Sequence, residues 1–274
     1  KKLNYDFKIK ILDQNNLTDY NLNNKSINLI NIEYNQKKAF QNISKKSSNF
    51  IKNSFEEAFK LIKKYNIKKV INGPISKTHF LEKKHLGVTE YISNHFSKNN
   101  VCMLIFNKKL SVSTVTTHLP LKLVTKNINQ KNIKNKIKLI REFYRKQFKQ
   151  NPRIGVLGLN PHCESILKYN EDDKIIKPLI RKMKLMKYKI SGPYSADTIF
   201  LRNNRKNFDV IIGMYHDQVL TPIKTLYEYD AINITLGLPF IRVSPDHGPN
   251  EYMLGKNKSN PLSLIRAITF LDKN

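Results

Sequence analysis

The sequence predicts an α/β protein built around a largely parallel β-sheet. Short apolar segments rich in Val and Ile alternate along the chain with longer segments whose apolar residues recur at helical spacing. This alternation is typical of strands connected by helices. The length of 274 residues suits one large α/β unit or two small lobes. Hydrophobic residues make up 40% of the chain, which is sufficient for a sizeable core.

Eight segments are predicted to be strands because they are short, apolar and bounded by turn residues. They are 25–34, 67–73, 101–106, 110–117, 153–160, 208–215, 231–237 and 240–244. We expect the third and fourth strands to lie side by side across the turn at 107–109. The last two strands flank a second turn, Gly237-Leu238-Pro239.

Four segments have the apolar periodicity of amphipathic helices, and they are 47–65, about 128–149, 171–184 and 260–271. The third begins with three acidic residues at 171–173, which the helix dipole favours in a first turn. Asn260 is the predicted N-cap of the last helix, and Pro261 is its first helical residue. Pro222 argues against a regular helix around Lys224.

The chain is strongly basic, with 49 Lys and Arg against 21 Asp and Glu and a formal net charge of +28. Nucleic acid is the first partner that such a charge suggests. The lysines, however, are spread along the whole chain, and no aromatic residues are interleaved with them as in stacking motifs. We therefore expect no nucleic-acid partner, and we expect the basic surface to attract anionic substrates and cofactors.

The composition also indicates in which cellular compartment the protein is located. The two cysteines, Cys102 and Cys163, are too few for a disulfide framework and too far apart for a metal knuckle. No apolar run approaches the roughly 20 residues of a membrane-spanning helix, and no secretory signal is visible at the start. The sequence therefore predicts a cytoplasmic protein with no membrane partner.

Three histidines occupy the same topological position, because His118, His162 and His216 follow the fourth, fifth and sixth predicted strands. Ligands of open α/β sheets collect at the carboxyl ends of strands, and neutral imidazole is a common ligand of divalent metals. A single histidine at a strand end is usually an ordinary hydrogen-bonded residue. The shared position of all three predicts a metal site with three protein ligands and open positions.

Further polar side chains lie near strand ends or interrupt apolar strands, and they are Lys77, Thr89, Glu90, Asp197, Asn233 and Arg242. Arg242 stands inside an apolar strand and could bind a carboxylate or phosphate in bidentate fashion, with Lys224 as a point charge. The turn Asp246-His247-Gly248 could lie over a nucleotide. The chain has neither a GxGxxG fingerprint nor a Walker A sequence.

Six short segments carry a resemblance to a known enzyme family. They are "INGPISK", "TTHLPL", "GLNPH", "GPYSADTIF", "MYHDQ" and "NITLGLPFIRVSPDHG". On these segments the sequence resembles the 4-hydroxythreonine-4-phosphate dehydrogenase (PdxA) family of pyridoxal phosphate biosynthesis. They occur in the family's order and at nearly its spacing, from about residue 50 to the end, with weaker similarity towards residue 1.

The resemblance implies an isocitrate/isopropylmalate dehydrogenase-like fold with two α/β/α lobes and a cleft between them. The first lobe would comprise 1–100 and about 244–274. The second lobe, 101–243, would carry the metal site and the interface of a homodimer with shared active sites. The family opens with a strand and a Gly-rich loop that this chain lacks, so its first βα unit is expected to be missing, by truncation or by real loss.

The resemblance also implies roles for individual residues. His118, His162 and His216 would hold one divalent ion (zinc, magnesium, manganese or cobalt), with one of them supplied by the other subunit. Positions that match the family's substrate contacts are Thr89, Lys224, Asn233 and Arg242. NAD or NADP is the implied cofactor, and its candidate contacts are Asp246, His247 and Gly248.

The implied activity is the oxidation of 4-(phosphooxy)-L-threonine, a phosphorylated hydroxy amino acid, to 2-amino-3-oxo-4-phosphooxybutanoate. This β-keto acid then loses carbon dioxide to give 3-amino-2-oxopropyl phosphate. A divalent ion suits both steps because it stabilises developing negative charge on oxygen, and the nicotinamide takes the hydride. The proton-handling group is expected to be one of Asp197, Asp217 and Lys224.

Two departures from the family pattern bear on the substrate. Val88 replaces a substrate-contacting histidine, and the segment 163–173 replaces a Gly-rich stretch with a loop one residue shorter. An alternative is therefore a related dehydrogenase that oxidises another 4-phosphorylated hydroxy acid, an erythronate or threonate 4-phosphate. A non-catalytic basic nucleic-acid-binding protein is the alternative from a different class, and three retained histidines count against it.

Overall fold

A computed structural model describes residues 7–23, 25–36, 38, 40–81 and 85–273. The chain divides into two compact units, residues 1–67 and 68–274. In the first unit, β1 (Ile9–Ile11) and β2 (Ile27–Leu29) form a parallel pair, and α1 (Ser48–Lys64) follows. The strand expected at 25–34 is therefore confirmed over only three residues. All three side chains of β2 are exposed, so burial of apolar surface contributes little free energy that would stabilise a longer strand.

The second unit contains one eight-stranded sheet with the strand order β3-β10-β9-β4-β5-β8-β6-β7. Its strands are β3 (Lys69–Ile71), β4 (Cys102–Phe106), β5 (Ser111–Thr114), β6 (Ile154–Leu157), β7 (Ile190–Tyr194), β8 (Val210–Gly213), β9 (Ile232–Leu236) and β10 (Ile241–Pro245). The pairs β4–β5 and β9–β10 are antiparallel neighbours, as the turn residues predict.

The sheet is mixed rather than largely parallel. Four pairings are parallel, β3–β10, β5–β8, β8–β6 and β6–β7, and three are antiparallel. The antiparallel pairings arise because two short turns return the chain beside itself, and β9 then pairs with β4. Strand β7 was not predicted, since Gly192 and Pro193 interrupt its sequence. Proline is tolerated there because β7 lies at the edge of the sheet.

Nine α-helices lie in the described part of the second unit. They are α2 (Lys77–Phe80), α3 (Val88–His95), α4 (Leu121–Asn127), α5 (Gln130–Phe148), α6 (Lys177–Leu185), α7 (Ala196–Ile199), α8 (Arg202–Arg205), α9 (His216–Tyr227) and α10 (Leu262–Lys273). Asn260 Oδ1 accepts a hydrogen bond from the Leu262 amide at the start of α10. Over the described residues, no helix is both long enough and apolar enough to cross a bilayer.

Alternating residues of each central strand divide the core into two layers, as the two-residue period of a strand requires. In β8, Val210 and Ile212 join the layer that contains residues of α5, α6 and α10, whereas Ile211 joins the layer that contains residues of α9. On the α9 side, this apolar layer gives way to polar side chains on β9 and β10. That change of polarity positions the candidate site.

Two helix predictions need correction. The helix expected at 171–184 begins with a π-helical turn, Asp172–Ile176, before α6. Pro178 has no N–H to offer the carbonyl four residues earlier, and the wider turn accommodates this. Pro222 lies inside the regular helix α9, against expectation. A helix-interior proline costs about 3 kcal/mol, and α9 offsets this by burying apolar side chains worth about 1.5–3 kcal/mol each, among them Val219 and Ile223.

Candidate active site

The three predicted histidines follow three adjacent parallel strands, since β8 lies between β5 and β6. His118 follows β5, His216 is the first residue of α9 after β8, and His162 follows β6. The imidazole rings of His118 and His216 lie with their centroids 5.7 Å apart. The expectation of a shared position at strand ends is therefore confirmed.

The third histidine does not complete a metal site within one chain. His162 is exposed and adopts a left-handed backbone conformation, with φ of 55°. Across the described residues, no group of three or more His, Cys, Asp or Glu side chains is arranged to hold a metal ion. Two neighbouring imidazoles still provide the donor chemistry that suits a divalent metal. The assignment of three histidine ligands stays a prediction.

His118 lies close to side chains of α2 and α3. Its Nδ1 atom is 3.6 Å from Oε1 of Glu90, and its Nε2 atom is 3.3 Å from Nζ of Lys77. The hydroxyl of Thr117 donates to the same Glu90 oxygen at 3.1 Å. Burial acts to raise the pKa of Glu90, but the contacts with His118 and Thr117 outweigh it and leave that pKa below its ordinary value. Glu90 is therefore a carboxylate at neutral pH.

His216 and the two residues that follow it on α9 differ in their contacts. Nδ1 of His216 lies 2.6 Å from Oδ1 of Asp217, whose side chain is 79% exposed. Gln218 is buried, and its amide group connects two strand ends: Oε1 accepts from the Met214 amide, and Nε2 donates to the Gly158 carbonyl. Gln218 thus has a structural role, and it holds the ends of β8 and β6 together beside the histidines.

Arg242 is the most deeply buried cation of the site, with 3% of its surface exposed. Its guanidinium donates to Asn72 Oδ1 at 2.7 Å, to Thr235 Oγ1 at 2.9 Å and to Thr89 Oγ1 at 3.3 Å. Burial lowers its pKa to about 10, while the charge of Glu90 acts to raise it. Arg242 therefore remains positively charged at neutral pH, with neutral oxygens as its hydrogen-bond partners.

Cross-strand pairs extend this polar surface over β9 and β10. Arg242 lies opposite Thr235, and Ser244 lies opposite Asn233. Oδ1 of Asn233 is buried and has no hydrogen-bond partner among the described residues. A buried acceptor without a partner is costly, so Asn233 is suited to contact a donor group of a ligand.

Lys224 lies near the C-terminus of α9, and its Nζ atom is 2.6 Å from Oδ2 of Asp246. The same ammonium group also contacts the Asp246 carbonyl. His247 and Gly248 follow Asp246, and Nδ1 of His247 lies 2.8 Å from the Gly248 carbonyl. The predicted cofactor contacts and Lys224 therefore lie close together, although their role in binding a nucleotide stays a prediction.

The loop that carries His162 is held by the carboxylate of Asp172. The sequence predicts this residue in the first turn of a helix, where the helix dipole favours a negative charge. Asp172 is fully buried, and it accepts hydrogen bonds from the amides of Leu159 at 2.8 Å and Asn160 at 3.1 Å. The Asn160 side chain donates to it as well, at 2.8 Å. Asp172 therefore fixes the backbone just before His162. Asp197 lies on α7 and is exposed.

Sequence reasoning did not assign Thr235 or Asp172 to the site. It noted Lys77 and Glu90 as polar side chains near strand ends but gave them no role. One signal was available for Thr235. Strands β9 and β10 read "INITL" and "IRVSP", so each alternates apolar and polar residues. This alternation puts Asn233, Thr235, Arg242 and Ser244 on one face of the sheet.

A mixed eight-stranded sheet with helices on both faces, and histidines after adjacent parallel strands, places the protein in the class of isocitrate-dehydrogenase-like α/β proteins. The isocitrate dehydrogenase of Methylococcus capsulatus shares this fold at 11% identity, with a TM-score of 0.52 over 79% of this chain and 70% of the other. Within that class, the chain belongs to the PdxA family. The sequence model of this family, described as pyridoxal phosphate biosynthetic protein PdxA, matches residues 1–271.

Individual relatives agree with this family. A 4-hydroxythreonine-4-phosphate dehydrogenase of Sulfurihydrogenibium sp. (strain YO3AOP1) is 41% identical over 217 residues, 78% of this chain. A putative 4-hydroxythreonine-4-phosphate dehydrogenase structure from Salmonella typhimurium has a TM-score of 0.80 at 25% identity and covers 97% of this chain and 83% of its own. A D-threonate 4-phosphate dehydrogenase of Pectobacterium atrosepticum is 33% identical over 202 residues, 73% of this chain.

The chain spans about two thirds or less of the curated relatives that it matches. The alignments cover 67% of the Sulfurihydrogenibium protein and 62% of the Pectobacterium protein.

Proposed function

We propose that the protein is an NAD(P)-dependent and divalent-metal-dependent dehydrogenase of 4-(phosphooxy)-L-threonine that acts in pyridoxine 5'-phosphate biosynthesis. The observation that carries the proposal is the buried cationic Arg242, which bonds to Thr89 on α3 beside the His118–His216 pair. The product would be 2-amino-3-oxo-4-phosphooxybutanoate, which decarboxylates to 3-amino-2-oxopropyl phosphate. The names of the Sulfurihydrogenibium and Salmonella relatives support this substrate.

The substrate has anionic groups at both ends, and the site supplies cations for them. Arg242 is charged and buried, so it would bind a carboxylate or phosphate with little competition from water. Lys224 would act as a second, more exposed cation. Thr89 and Asn233 would contact the polar groups of the substrate and thereby fix its orientation.

The implied metal and cofactor each supply one part of the chemistry. His118, His162 and His216 would hold a divalent ion, which would polarise oxygen atoms of the substrate. NAD or NADP would supply the hydride acceptor, and we propose that Asp246, His247 and Gly248 contact this cofactor. The protein's own contribution is to orient the secondary alcohol between these groups.

Lys224 is the best candidate for moving a proton. Its ammonium group is paired with Asp246 and is 38% exposed, so it can exchange protons with water and with substrate. Asp217 contacts Nδ1 of His216, and this suits a positioning role better. Asp197 is exposed and has no contact with either histidine among its described hydrogen bonds, so it ranks third.

We also propose a homodimer with shared active sites, in which His162 joins the His118–His216 pair of the other subunit. The exposure of His162 supports this arrangement, as do exposed apolar residues on the adjoining loop, Ile166, Leu167 and Tyr169. The two lobes of each subunit would be 1–100 with about 244–274, and 101–243. Two buried free thiols, Cys102 and Cys163, support a cytoplasmic location.

Subunit complementation tests the shared site. His118→Ala and His162→Ala proteins should each be inactive, whereas their co-expression should restore about a quarter of the wild-type activity. This fraction follows because half of the randomly assorted dimers are mixed, and each mixed dimer has one intact site. Absence of any recovery in purified mixed dimers would show that His118 and His162 do not come from different subunits.

The related oxidation of a threonate or erythronate 4-phosphate is a second candidate, because Val88 is the half-buried first residue of α3, next to Thr89. Valine cannot form a hydrogen bond with a substrate amino or hydroxyl group. If the first candidate is right, Val88→His should raise kcat/KM for 4-(phosphooxy)-L-threonine. If the second is right, the wild type should prefer the sugar-acid phosphate.

The deciding experiment is an NAD(P)H-formation assay on a full-length clone with 4-(phosphooxy)-L-threonine, threonate 4-phosphate and erythronate 4-phosphate, with and without a chelator. We expect chelator-sensitive turnover that is fastest with the amino acid. His162→Ala should abolish it with the fold intact, since His162 is exposed, and Lys168→Ala in the same loop is the control. Turnover unaffected by chelation or by His162→Ala would exclude the proposed metal site.

A further inference from the structure

Glu90 lies close to His118, although 27 residues separate them in the sequence. Thr89 and Glu90 lie in the first turn of α3, and Thr117 and His118 follow β5. The hydroxyl of Thr117 donates to Glu90 Oε1, and this holds the carboxylate in place. The same oxygen lies 3.6 Å from Nδ1 of His118, slightly beyond hydrogen-bonding distance.

Two buried polar atoms lie between Glu90 and His118 without a hydrogen-bond partner among the described residues. Nδ1 of His118 and Oε2 of Glu90 are both buried, and neither makes a hydrogen bond to any residue that the structure describes. Leaving two such groups unpaired is costly. Catalytic hydrogen bonds are often long in an unliganded protein and shorten in the complex. A small movement of either side chain would satisfy the imidazole nitrogen.

Gly87 keeps the space around this pair open. A Cβ atom at Gly87 would lie 2.6 Å from Oε2 of Glu90 and 2.9 Å from Cε1 of His118. Both distances are shorter than any van der Waals contact. A larger residue would therefore separate the carboxylate from the imidazole, although the backbone of Gly87 is extended and demands no glycine by itself.

The other ring nitrogen of His118 has a different neighbour. Nζ of Lys77 lies 3.3 Å from Nε2, and an ammonium group can only donate a hydrogen bond. Nε2 must then carry the lone pair, and Nδ1 must carry the proton. The neighbours of both nitrogens therefore indicate the same tautomer, with N–H directed towards Glu90 and the lone pair directed away from it.

We propose that Glu90 is a positioning residue for His118: its carboxylate accepts a hydrogen bond from Nδ1–H and so presents the Nε2 lone pair to the divalent ion. The ion would take the place of the Lys77 ammonium group, which lies 3.3 Å from Nε2. The inference rests on the proposed function, because the ion is the one assigned to the dehydrogenase site. Carboxylates in this position orient a histidine ligand and raise its basicity. Glu90 also lies close enough to the buried Arg242 to act on its pKa, so one carboxylate serves two groups of the site.

The test uses Glu90→Gln in the full-length dimeric protein, with Co²⁺ as the probe ion. We expect the dissociation constant for Co²⁺, measured by calorimetric titration, to rise about 10- to 100-fold, while the melting temperature of the metal-free protein stays near that of the wild type. Glu142→Gln, which removes the same charge from an exposed position on α5, is the matched control and should bind Co²⁺ normally. Gly87→Ala should weaken binding as Glu90→Gln does.

A second measurement does not depend on metal. In ¹⁵N NMR spectra of the metal-free protein, with His118 assigned through His118→Gln, the ring should be the Nδ1–H tautomer. The Nε2–H tautomer in the wild type would overturn the inference. Binding of Co²⁺ as tight as in the wild type by Glu90→Gln or, should that variant not fold, by Glu90→Ala would overturn it as well. Wild-type protein that binds no Co²⁺ would overturn the metal site of the proposed function and this inference together, whereas normal binding by Glu90→Gln would overturn only the inference.

Discussion

Nζ of Lys224 lies 2.6 Å from Oδ2 of Asp246, and this ion pair joins the end of α9 to the residue after β10. It links α9, which begins within the segment "MYHDQ", to the end of the segment "NITLGLPFIRVSPDHG". Both are among the six segments on which the family resemblance rests. Burial raises the pKa of Asp246 above its ordinary value, and Lys224 opposes that rise. The two residues are therefore electrostatically dependent on each other.

Removing Lys224 should make the stability of the protein depend more strongly on pH. A carboxyl whose pKa is higher in the folded than in the unfolded chain binds protons more tightly when folded, so stability falls as pH rises between the two pKa values. Lys224→Met removes the charge that opposes the rise. We expect its loss in unfolding free energy, relative to the wild type, to be larger at pH 8 than at pH 4 in urea titrations. Lys224→Met/Asp246→Asn should lack this difference, and a persistent one would show that another group titrates.

Removing Arg242 should affect both stability and substrate binding. Arg242→Ala leaves Thr89, Thr235 and Asn72 without their partner, and we expect a loss of about 2–4 kcal/mol in unfolding free energy, as for a buried network that loses one member. Arg266→Ala, at a half-exposed ion pair with Asp230, should cost less than about 1 kcal/mol.

The kinetic effect of Arg242→Ala should be mainly a higher KM, because the guanidinium contributes ground-state binding of an anionic group. Steady-state kinetics of a variant that remains folded at the assay temperature would measure this. A fall in kcat alone would assign Arg242 to transition-state stabilisation instead.

Asp172 and Asp173 provide an adjacent pair with opposite environments. Asp172→Asn weakens the hydrogen bonds from the Leu159 and Asn160 amides, and hydrogen bonds to a charged acceptor are worth about 1.5–3 kcal/mol each. We therefore expect lower stability in urea titrations, together with weaker Co²⁺ binding, because the backbone before His162 loses its support. Asp173→Asn, on the exposed side of the same turn, should change neither. Equal effects of the two substitutions would contradict the assignment.

Asp209 should show the opposite pH dependence to Asp246. Burial acts to raise its pKa, but hydrogen bonds and the charge of Arg153 lower it overall, with the Arg153 amide at 2.7 Å and Nη2 at 2.9 Å. A lowered folded pKa gives stability that is present above the ordinary carboxyl pKa of about 3.9 and is lost as pH falls through the folded value. Asp209→Asn should therefore be less stable than the wild type at pH 7, and the two should converge near pH 2 in urea titrations. A constant gap across this range would rule out the ionised carboxylate as its source.

The sequence by itself determined the features that depend on local order along the chain. The hairpin pairings β4–β5 and β9–β10 follow from short turns between apolar runs, and the positions of His118, His162 and His216 after strands follow from the strand pattern. The polar alternation of β9 and β10 is also readable in the printed sequence. These features are predictable because they depend on periodicity and turn chemistry within about ten residues.

Only the tertiary structure decided which of these residues meet. Strand order brings β5, β8 and β6 together, and no local pattern specifies that order. Packing placed Glu90 against His118 and buried Asp172 under the loop of His162, although the sequence favoured a role for Asp172 in a helix terminus. Burial also continued α9 through Pro222. In each case the free energy of packing and of satisfying buried polar groups between distant segments exceeds the local preferences that a sequence displays.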